Sequence, residues 1–569
     1  MVRRYVVAPQ GRRGRYPDIG SALRAAAGRR GPARVEIEPG RYEECLTVRG
    51  EVELAALGAP GSVLVTPPRG TVLEAAGSVV VRGLELVGRE ADVVDLRAGA
   101  LVLDRVAVRA HDGVCLHARH GTAATLTDCS FRYGRVLFTG ATGSVRGCRF
   151  TDAADNAVAV IKGGRLELRD SRFEDSRIHG VRVSDAWAEV TGCELTGTGR
   201  AAVCADTRAE LTLADCVISA VQAEGVLFTG QSRGLMRGCR VSDAEHGVAA
   251  TTGSDPVVRS CVFTDCRDTG INVPDAGRGT FEDCEVRDAG TVAVFVTRGG
   301  APSVTDCRIV GGHVGVAVLD RSRGRFSRID ARRLTSVALR VREGSKAVFE
   351  DVRVEACAAG LETLGDSDTA AELTGGWFQD CELGSVGSCG TSRVTVRGVT
   401  TRRGLVGFSA IEESQLSLHD CEVAEMSLGV LAIGSSTLVA RNLSVTGPDG
   451  PGLGSTDSAF VDVAGSRFAD CGHAAVSVQG MSSGRLVDCS VTGAPGGTAV
   501  QHNGRVDVVS LDSSLRVAKE FAEPPAPPPP PVINHYNAPV FYGAVHNCQF
   551  AWGNASVNQQ QTRQDGAGS

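Results

Sequence analysis

The chain has 569 residues, of which 42% are hydrophobic and 22% charged, and a formal charge of -6. So small a net charge on so long a chain gives no field to draw in nucleic acid or an anionic membrane. No run of about 18 apolar residues occurs, and Met1-Val-Arg-Arg-Tyr-Val-Val lacks the apolar stretch of a signal peptide, so a cytoplasmic location without membrane contact is expected.

The first element in the chain is a short helix. Residues 17–30, "PDIGSALRAAAGRR", read as amphipathic from Pro17-Asp18 onward, with Ile19, Leu23 and Ala26 on one side. A stack of strands needs its open end covered, and this helix is expected to cap the first rung. Its arginines read as a solvated face rather than a basic patch or transit peptide.

A repeat follows. Segments such as "LTDCSF", "VRGCRF", "VTGCEL", "LADCVI", "MRGCRV" and "FEDCEV" share one register: a small or acidic residue, Cys, any residue, then an apolar one. Cys129, Cys148, Cys193, Cys216, Cys239, Cys261, Cys284 and Cys307 mark it, with Ser171 filling the double gap. Extended both ways, the register runs from Leu84 to Cys489 in steps of about 22 to 23 residues, and none of its 19 positions is charged. Two residues later stands a second uncharged column, from Leu86 through Phe131, Phe150 and Phe173 to Val491. Apolar residues at i and i+2 around variable ones mark a strand with one buried face, so both columns are expected to point inward.

A second strand recurs after Gly or Ala, as "GVRV" at Gly180, "GINV" at Gly270 and "GVAV" at Gly315. A βαβ sheet would need helices of about 10 to 15 residues between strands, and the gaps have no room for them. Strands must then pair with the rungs above and below. The fold expected is all-β, a single-stranded right-handed parallel β-helix (solenoid) of about 19 rungs. The organisation expected is an N-terminal cap and first rung over residues 1–60, the β-helix over 61–516, a Pro-rich linker over 517–531 and a tail over 532–569.

The 19 cysteines read as reduced thiols, because disulfides staple small domains that lack a core. One per rung makes a stacked interior column of small side chains. A structural zinc site needs close Cys pairs, and even Cys261 and Cys266 miss that spacing. No metal and no cofactor are expected.

The opening "YPDIGSALRAAAGRRGPARVEIEPGRYEECLTV", the following "VELAALG" and the rungs to about residue 510 resemble the pectin-lyase-like right-handed β-helix proteins. That family includes pectin methylesterases, pectate lyases, polygalacturonases and uncharacterised bacterial members. Pro39-Gly40-Arg41-Tyr42-Glu43-Glu44 looks like the Gly-x-Tyr-x-Glu segment of the methylesterases, which the resemblance implies is structural. Their Gln-Asp-Thr-Leu and Asp-Phe-Ile-Phe-Gly motifs have no counterpart here.

Lyases and hydrolases of this fold carry clustered carboxylates on an outer face. The outward position of the Gly-led strand reads Arg182, Cys204, Leu227, Ala249, Asn272, Ala317, Arg340 and Glu362, which is no acidic stripe. Asp185, Asp206, Asp275 and Asp320 lie just beyond these strands. Asp185 and Asp206, on neighbouring rungs, are a weak candidate for a catalytic pair, against an ordinary turn-forming role. His111, His117 and His120 cluster in sequence, but strand and turn geometry favours a surface group over a ligand set. P-loop, Gly-x-Ser-x-Gly and His-Glu-x-x-His motifs do not occur.

The rung pattern stops at Val517, and the run from Glu523 to Pro531 reads as a stiff polyproline spacer or a ligand for a proline-binding domain. Residues 532–561 then contain no Asp, Glu, Lys or Arg. They carry a weak repeat, Tyr542-Gly543 to Gln549 against Trp552-Gly553-Asn554, Val557 and Gln559. Aromatic, Asn and Gln residues without charge favour cross-β stacking. The segment resembles bacterial amyloid signalling motifs of the RIP homotypic interaction type, and the resemblance implies assembly with itself or a partner's matching tail. Docking on the last rung and disorder stay open as alternatives.

The function expected is a non-enzymatic recognition or scaffold protein. It binds a polysaccharide or protein along the β-helix, and its tail serves homotypic or partner assembly. The alternative is a carbohydrate-active lyase, hydrolase or epimerase working in a groove.

Overall fold

The computed structural model describes residues 2–8, 15–29, 31–111, 113–494 and 497–518, and beyond them the backbone of two short strands, Val540–Tyr542 and Gln549–Ala551. The chain divides into two units, residues 1–335 with 345–352, and residues 336–344 with 353–569. That division is not signalled in the repeat, whose register runs through it.

The architecture is an all-β parallel solenoid of about 21 turns, and Ile19–Ala27 is the one α-helix among the described residues. The register starts two turns earlier than Leu84. Gly40 pairs with Val63 and Val63 with Leu84, which puts Tyr42 and Val65 in the inner column. Those turns escape the sequence pattern because neither carries the small-residue-Cys signature.

In the first unit the inner column forms one ladder. Val108, Phe131, Phe150, Phe173, Leu195 and Ile218 are successive in-register partners. The Phe131 and Phe150 rings lie 5.1 Å apart and those of Phe150 and Phe173 4.6 Å apart, nearly parallel. In the second unit Phe378, Thr401, Val423, Val445, Phe468 and Val491 continue in the same way. Every residue of this column is buried, and so are those of the cysteine register except Gly376, which has no side chain to bury.

The small or acidic residue before each register position has a conformational role. Asp128, Asp170, Asp215, Asp283 and Asp306 have φ between 51° and 54°, the left-handed region that Asp, Asn and Gly tolerate best. The thiol that follows then serves the turn. Cys216 Sγ lies 3.2 Å from the Ala214 carbonyl and accepts the Cys193 N–H at 3.4 Å. Ser171 does the same work, donating to the Arg169 carbonyl at 2.8 Å and accepting the Cys148 N–H at 3.1 Å. Where the register holds Cys or Ser, the side chain is thus a small polar group that satisfies buried backbone; elsewhere, as at Leu84 and Val106, it is aliphatic.

The helix begins where Asp18 accepts the Ser21 N–H at 2.6 Å. Ile19, Ala22, Leu23 and Ala26 are buried against strands Arg3–Val7, Ala33–Ile37 and Leu46–Ala56. Glu44 accepts the Ile19 and Gly20 N–H groups, both at 2.7 Å, and Tyr42 donates its hydroxyl to the Glu38 carbonyl at 2.8 Å. The Gly40–Glu44 segment thus holds the helix N-terminus to the first turns, a structural role.

Candidate ligand-binding face

The second strand of each turn alternates inward and outward side chains, so one outward residue per turn stacks into a column. In the first unit this column runs further toward the N-terminus than its Gly-led sequence pattern shows. Glu74 pairs with Asp95, Asp95 with His117, His117 with Leu137, Leu137 with Ala159 and Ala159 with Arg182. A register shift between Val114 and Leu116 hides the continuation from a residue count.

The first turns of the face therefore do carry acids, each held by arginine. Asp95 is only 2% exposed although it points outward. Arg119 donates to it through Nε at 2.6 Å and Nη2 at 3.2 Å, and Arg97 through Nε at 2.8 Å. Arg97 Nη2 also reaches Glu74 at 2.8 Å. Burial alone would push the Asp95 carboxyl up, but the two guanidiniums overcome it and hold the group below the usual carboxylate range.

Beside this ion cluster lies His117, with Nδ1 3.4 Å from an Asp92 carboxylate oxygen and Nε2 3.2 Å from Thr139 Oγ1. Val114, Leu137, Ala159 and Ile161 form an apolar patch on the next turns. Further along come Arg182, Cys204, Leu227, Ala249, Asn272, Phe295 and Ala317, again in register. Asn272 Oδ1 is buried and has no hydrogen-bond partner. Burial pushes the Cys204 thiol up to about 12, so it is a small apolar surface here rather than a nucleophile.

A family model for the right-handed β-helix region matches residues 179–331, 246–401 and 378–510, together more than half of the chain. The chain belongs to the right-handed β-helix family. Among solved structures this β-helix is similar to a variant of the GH87 α-1,3-glucanase catalytic domain in complex with nigerose, at 11% identity and a TM-score of 0.31, covering 63% of this chain and 65% of that one. It is also similar to the PL6 family alginate lyase AlyGC, at 9% identity and a TM-score of 0.29, covering 91% and 100%. A third is bacteriophage CBA120 tailspike protein 3, at 12% identity and a TM-score of 0.28, covering 74% and 61%. The chain spans less than two thirds of the glucanase domain. No curated protein matches.

The β-helix does not present Asp185 and Asp206 as a free carboxylate pair. Asp206 accepts Arg182 Nε at 2.8 Å and Thr207 Oγ1 at 2.9 Å. Burial raises its carboxyl, while Ser184, Arg182 and Thr207 hold it below the usual range. Asp185, Asp275 and Asp320 occupy left-handed turn positions, with φ of 47°, 54° and 56°. Asp275 also accepts Arg298 Nη2 at 3.1 Å.

His111 stacks on Tyr133 at 6.1 Å rather than joining His117. Among the described residues no group of three or more His, Cys, Asp or Glu could hold a metal ion.

In the second unit the outward column reads Arg340, Glu362, Gly387, Ser409 and Leu431. Glu362, 4% exposed, accepts Arg342 Nε at 2.8 Å and Arg340 Nη2 at 3.3 Å. Burial pulls the Arg340 guanidinium down. The flanking apolar group is Cys389, Ile411, Leu428, Leu431 and Ile433.

Of the assembly residues read from the tail, Tyr542 and Gln549 are paired in the backbone of the two antiparallel strands. Gly543, Trp552, Gly553, Asn554, Val557 and Gln559 lie outside the described residues.

Sequence reasoning missed Asp92, Asp95 and Thr139. The signal for Asp95 is the outward column itself, counted back from Arg182 through the register shift; Asp92 precedes its strand and Thr139 lies one outward position beyond Leu137.

Proposed function

We propose that this β-helix is a recognition protein for an extended, hydroxyl-rich polymer, a polysaccharide, lying along the outward column of the first unit. The observation that carries the reading is Asn272. Its Oδ1 is a buried acceptor without a partner, set between small or apolar residues, Leu227 and Ala249 on one side and Phe295 and Ala317 on the other. An amide set in an apolar strip, with its oxygen left to gain a partner when the side chain turns outward, suits a ligand with flat apolar faces and hydroxyl edges. Column residues recur about every 4.8 Å, which suits a polymer better than a compact ligand.

The test is affinity electrophoresis of the full chain against a panel of neutral and acidic polysaccharides. Phe295→Ala and Asn272→Ala should each weaken retention by a polysaccharide that binds, by about 1 to 2 kcal/mol. If no polysaccharide retards the protein, or both variants bind as the parent does, the reading fails.

We further propose that residues 532–561 couple the bound state to assembly in the cytoplasm, supported by the absence of charge across those residues. No disulfide joins the described cysteines to one another, which suits a reducing compartment. A peptide of residues 532–561 that stays monomeric and thioflavin-negative at high concentration would defeat the assembly half.

A further inference from the structure

We infer that Asp92, His117 and Thr139 form an acyl-transfer site on this face, with Thr139 as the nucleophile. The three residues stand on successive turns, and their side chains form a chain of contacts from carboxylate to imidazole to hydroxyl. The His117 Nδ1 contact to Asp92 Oδ2 is 3.4 Å, and the Nε2 contact to Thr139 Oγ1 is 3.2 Å. Only a protonated nitrogen gains from facing a carboxylate, so Asp92 selects the tautomer with the proton on Nδ1. The Nε2 lone pair is left toward the threonine hydroxyl. Nucleophile, base and orienting acid are thereby arranged in the order that activates a hydroxyl.

The strand that carries the histidine is itself anchored. Ala118 pairs with Phe138, so the residues that follow them, Arg119 and Thr139, are neighbours across the turns. Asp95 holds Arg119 by Nε and Nη2, which leaves Nη1 outside that bidentate contact on a side chain 47% exposed. The Arg119 guanidinium is drawn back to Asp95 on the preceding turn, so the buried ion cluster fixes the strand that carries His117. Leu137, Ala159 and Ile161 supply an apolar wall on the turns beyond the histidine.

The substrate class is a carboxylic ester. Thr139 Oγ1 attacks the carbonyl carbon as its proton passes to His117 Nε2, giving a tetrahedral oxyanion. The bond from that carbon to the alcohol oxygen then breaks, and His117 returns the proton to the departing alcohol. Water, deprotonated by His117, attacks the threonyl ester, the bond to Oγ1 breaks with the proton returning to it, and the carboxylic acid leaves. That the alcohol is a hydroxyl of the bound polymer rests on the function proposed above; the site itself does not. The sequence leans toward a non-enzymatic protein with an enzyme as the alternative, and this geometry favours the alternative's side.

The test uses the full chain with p-nitrophenyl acetate, which contains no polymer, so its outcome is independent of the polysaccharide assay. Saturable turnover is expected in the parent. It should fall about a hundredfold or more in Thr139→Val and His117→Asn and be retained in Thr139→Ser. Thermal melting of each variant checks that the fold is intact, and mass spectrometry of a rapid acid quench should place the acetyl group on the peptide holding Thr139. Parent turnover no faster than Thr139→Val, equal loss in Thr139→Ser, or acetylation at another residue overturns the assignment.

Discussion

Replacing Arg119 by Met should loosen the turns around Asp95 by an amount the geometry sets. The substitution removes two of the three guanidinium hydrogen bonds to a carboxylate that is 2% exposed, leaving the Arg97 Nε bond at 2.8 Å. A hydrogen bond to a charged group contributes about 1.5 to 3 kcal/mol, and breaking a fully buried pair costs about 3 to 5. Arg119 itself is 47% exposed, so solvent screens the pair and the expected loss is about 2 to 3 kcal/mol. A long solenoid need not unfold in one step, so the loss should be read locally. Amide hydrogen exchange of peptides spanning residues 90–120 should speed up roughly 30- to 150-fold, while peptides beyond residue 360 keep the parent rate. Adding Asp95→Asn should cost little more, because the carboxylate that suffers is then gone. Exchange that is unchanged in Arg119→Met, or a double variant whose losses simply add, would refute the account of Asp95 as a carboxylate held by these guanidiniums.

The pH dependence has a definite sign. Asp95 is held below its ordinary value of 3.8, so its stabilising contribution is present above that value and lost as pH falls through the lowered one. Parent and Arg119→Met should therefore differ in urea unfolding near pH 7 and converge as pH falls below that lowered value. Phe150→Ala removes the middle ring of a stack with neighbours at 5.1 and 4.6 Å and should cost about 3 to 5 kcal/mol by the same measurement, whereas Phe150→Leu should cost clearly less. Among the eighteen described thiols only Cys45 is exposed. In a Cys548→Ser background native protein should show one fast thiol toward a disulfide reagent, abolished by Cys45→Ser. Burial and the Glu74 charge raise the Cys45 thiol above its ordinary value of 9.0, so its reaction should accelerate steadily from pH 7 to 9.

The inward half of this protein is legible from sequence because a strand's side chains alternate with period two and each turn contributes the same two buried positions. Phe131, Phe150 and Phe173 can be aligned without coordinates, and the structure pairs them directly. Even the acidic residue before each cysteine carries readable information, since Asp, Asn and Gly are the residues that enter the left-handed turn. The outward half is harder to read. No repeat constrains an outward residue, and its partner sits one turn away, at a distance in sequence that one extra residue can spoil. Asp92, His117 and Thr139 are far apart in the chain, and the shift between Val114 and Leu116 breaks the count that would join them. Asp95 illustrates a second obstacle. Its alternation places it outward, yet it is buried, because Arg97 and Arg119 from neighbouring outward positions lie across it.

That division also bears on where chemistry can arise in such a fold. Inner positions are bound by the stack above and below: a change at Cys216 must still fill its buried place and satisfy the Cys193 N–H and the Ala214 carbonyl, as Ser171 does on its own turn. Outer positions answer to no such demand, and each contributes one side chain per turn at about 4.8 Å, close enough for a long side chain on one turn to bond the next. Substitutions at three exterior positions on successive turns are therefore sufficient to assemble an acid, an imidazole and a hydroxyl in contact, without altering the core that holds them. On this argument Thr139→Ser should leave thermal stability within about 0.5 kcal/mol of the parent. Phe138→Ser, one residue away but pointing inward, should cost several kcal/mol through the cavity it opens. If the two substitutions proved equally costly, the separation between a constrained interior and a free exterior would not hold at this turn.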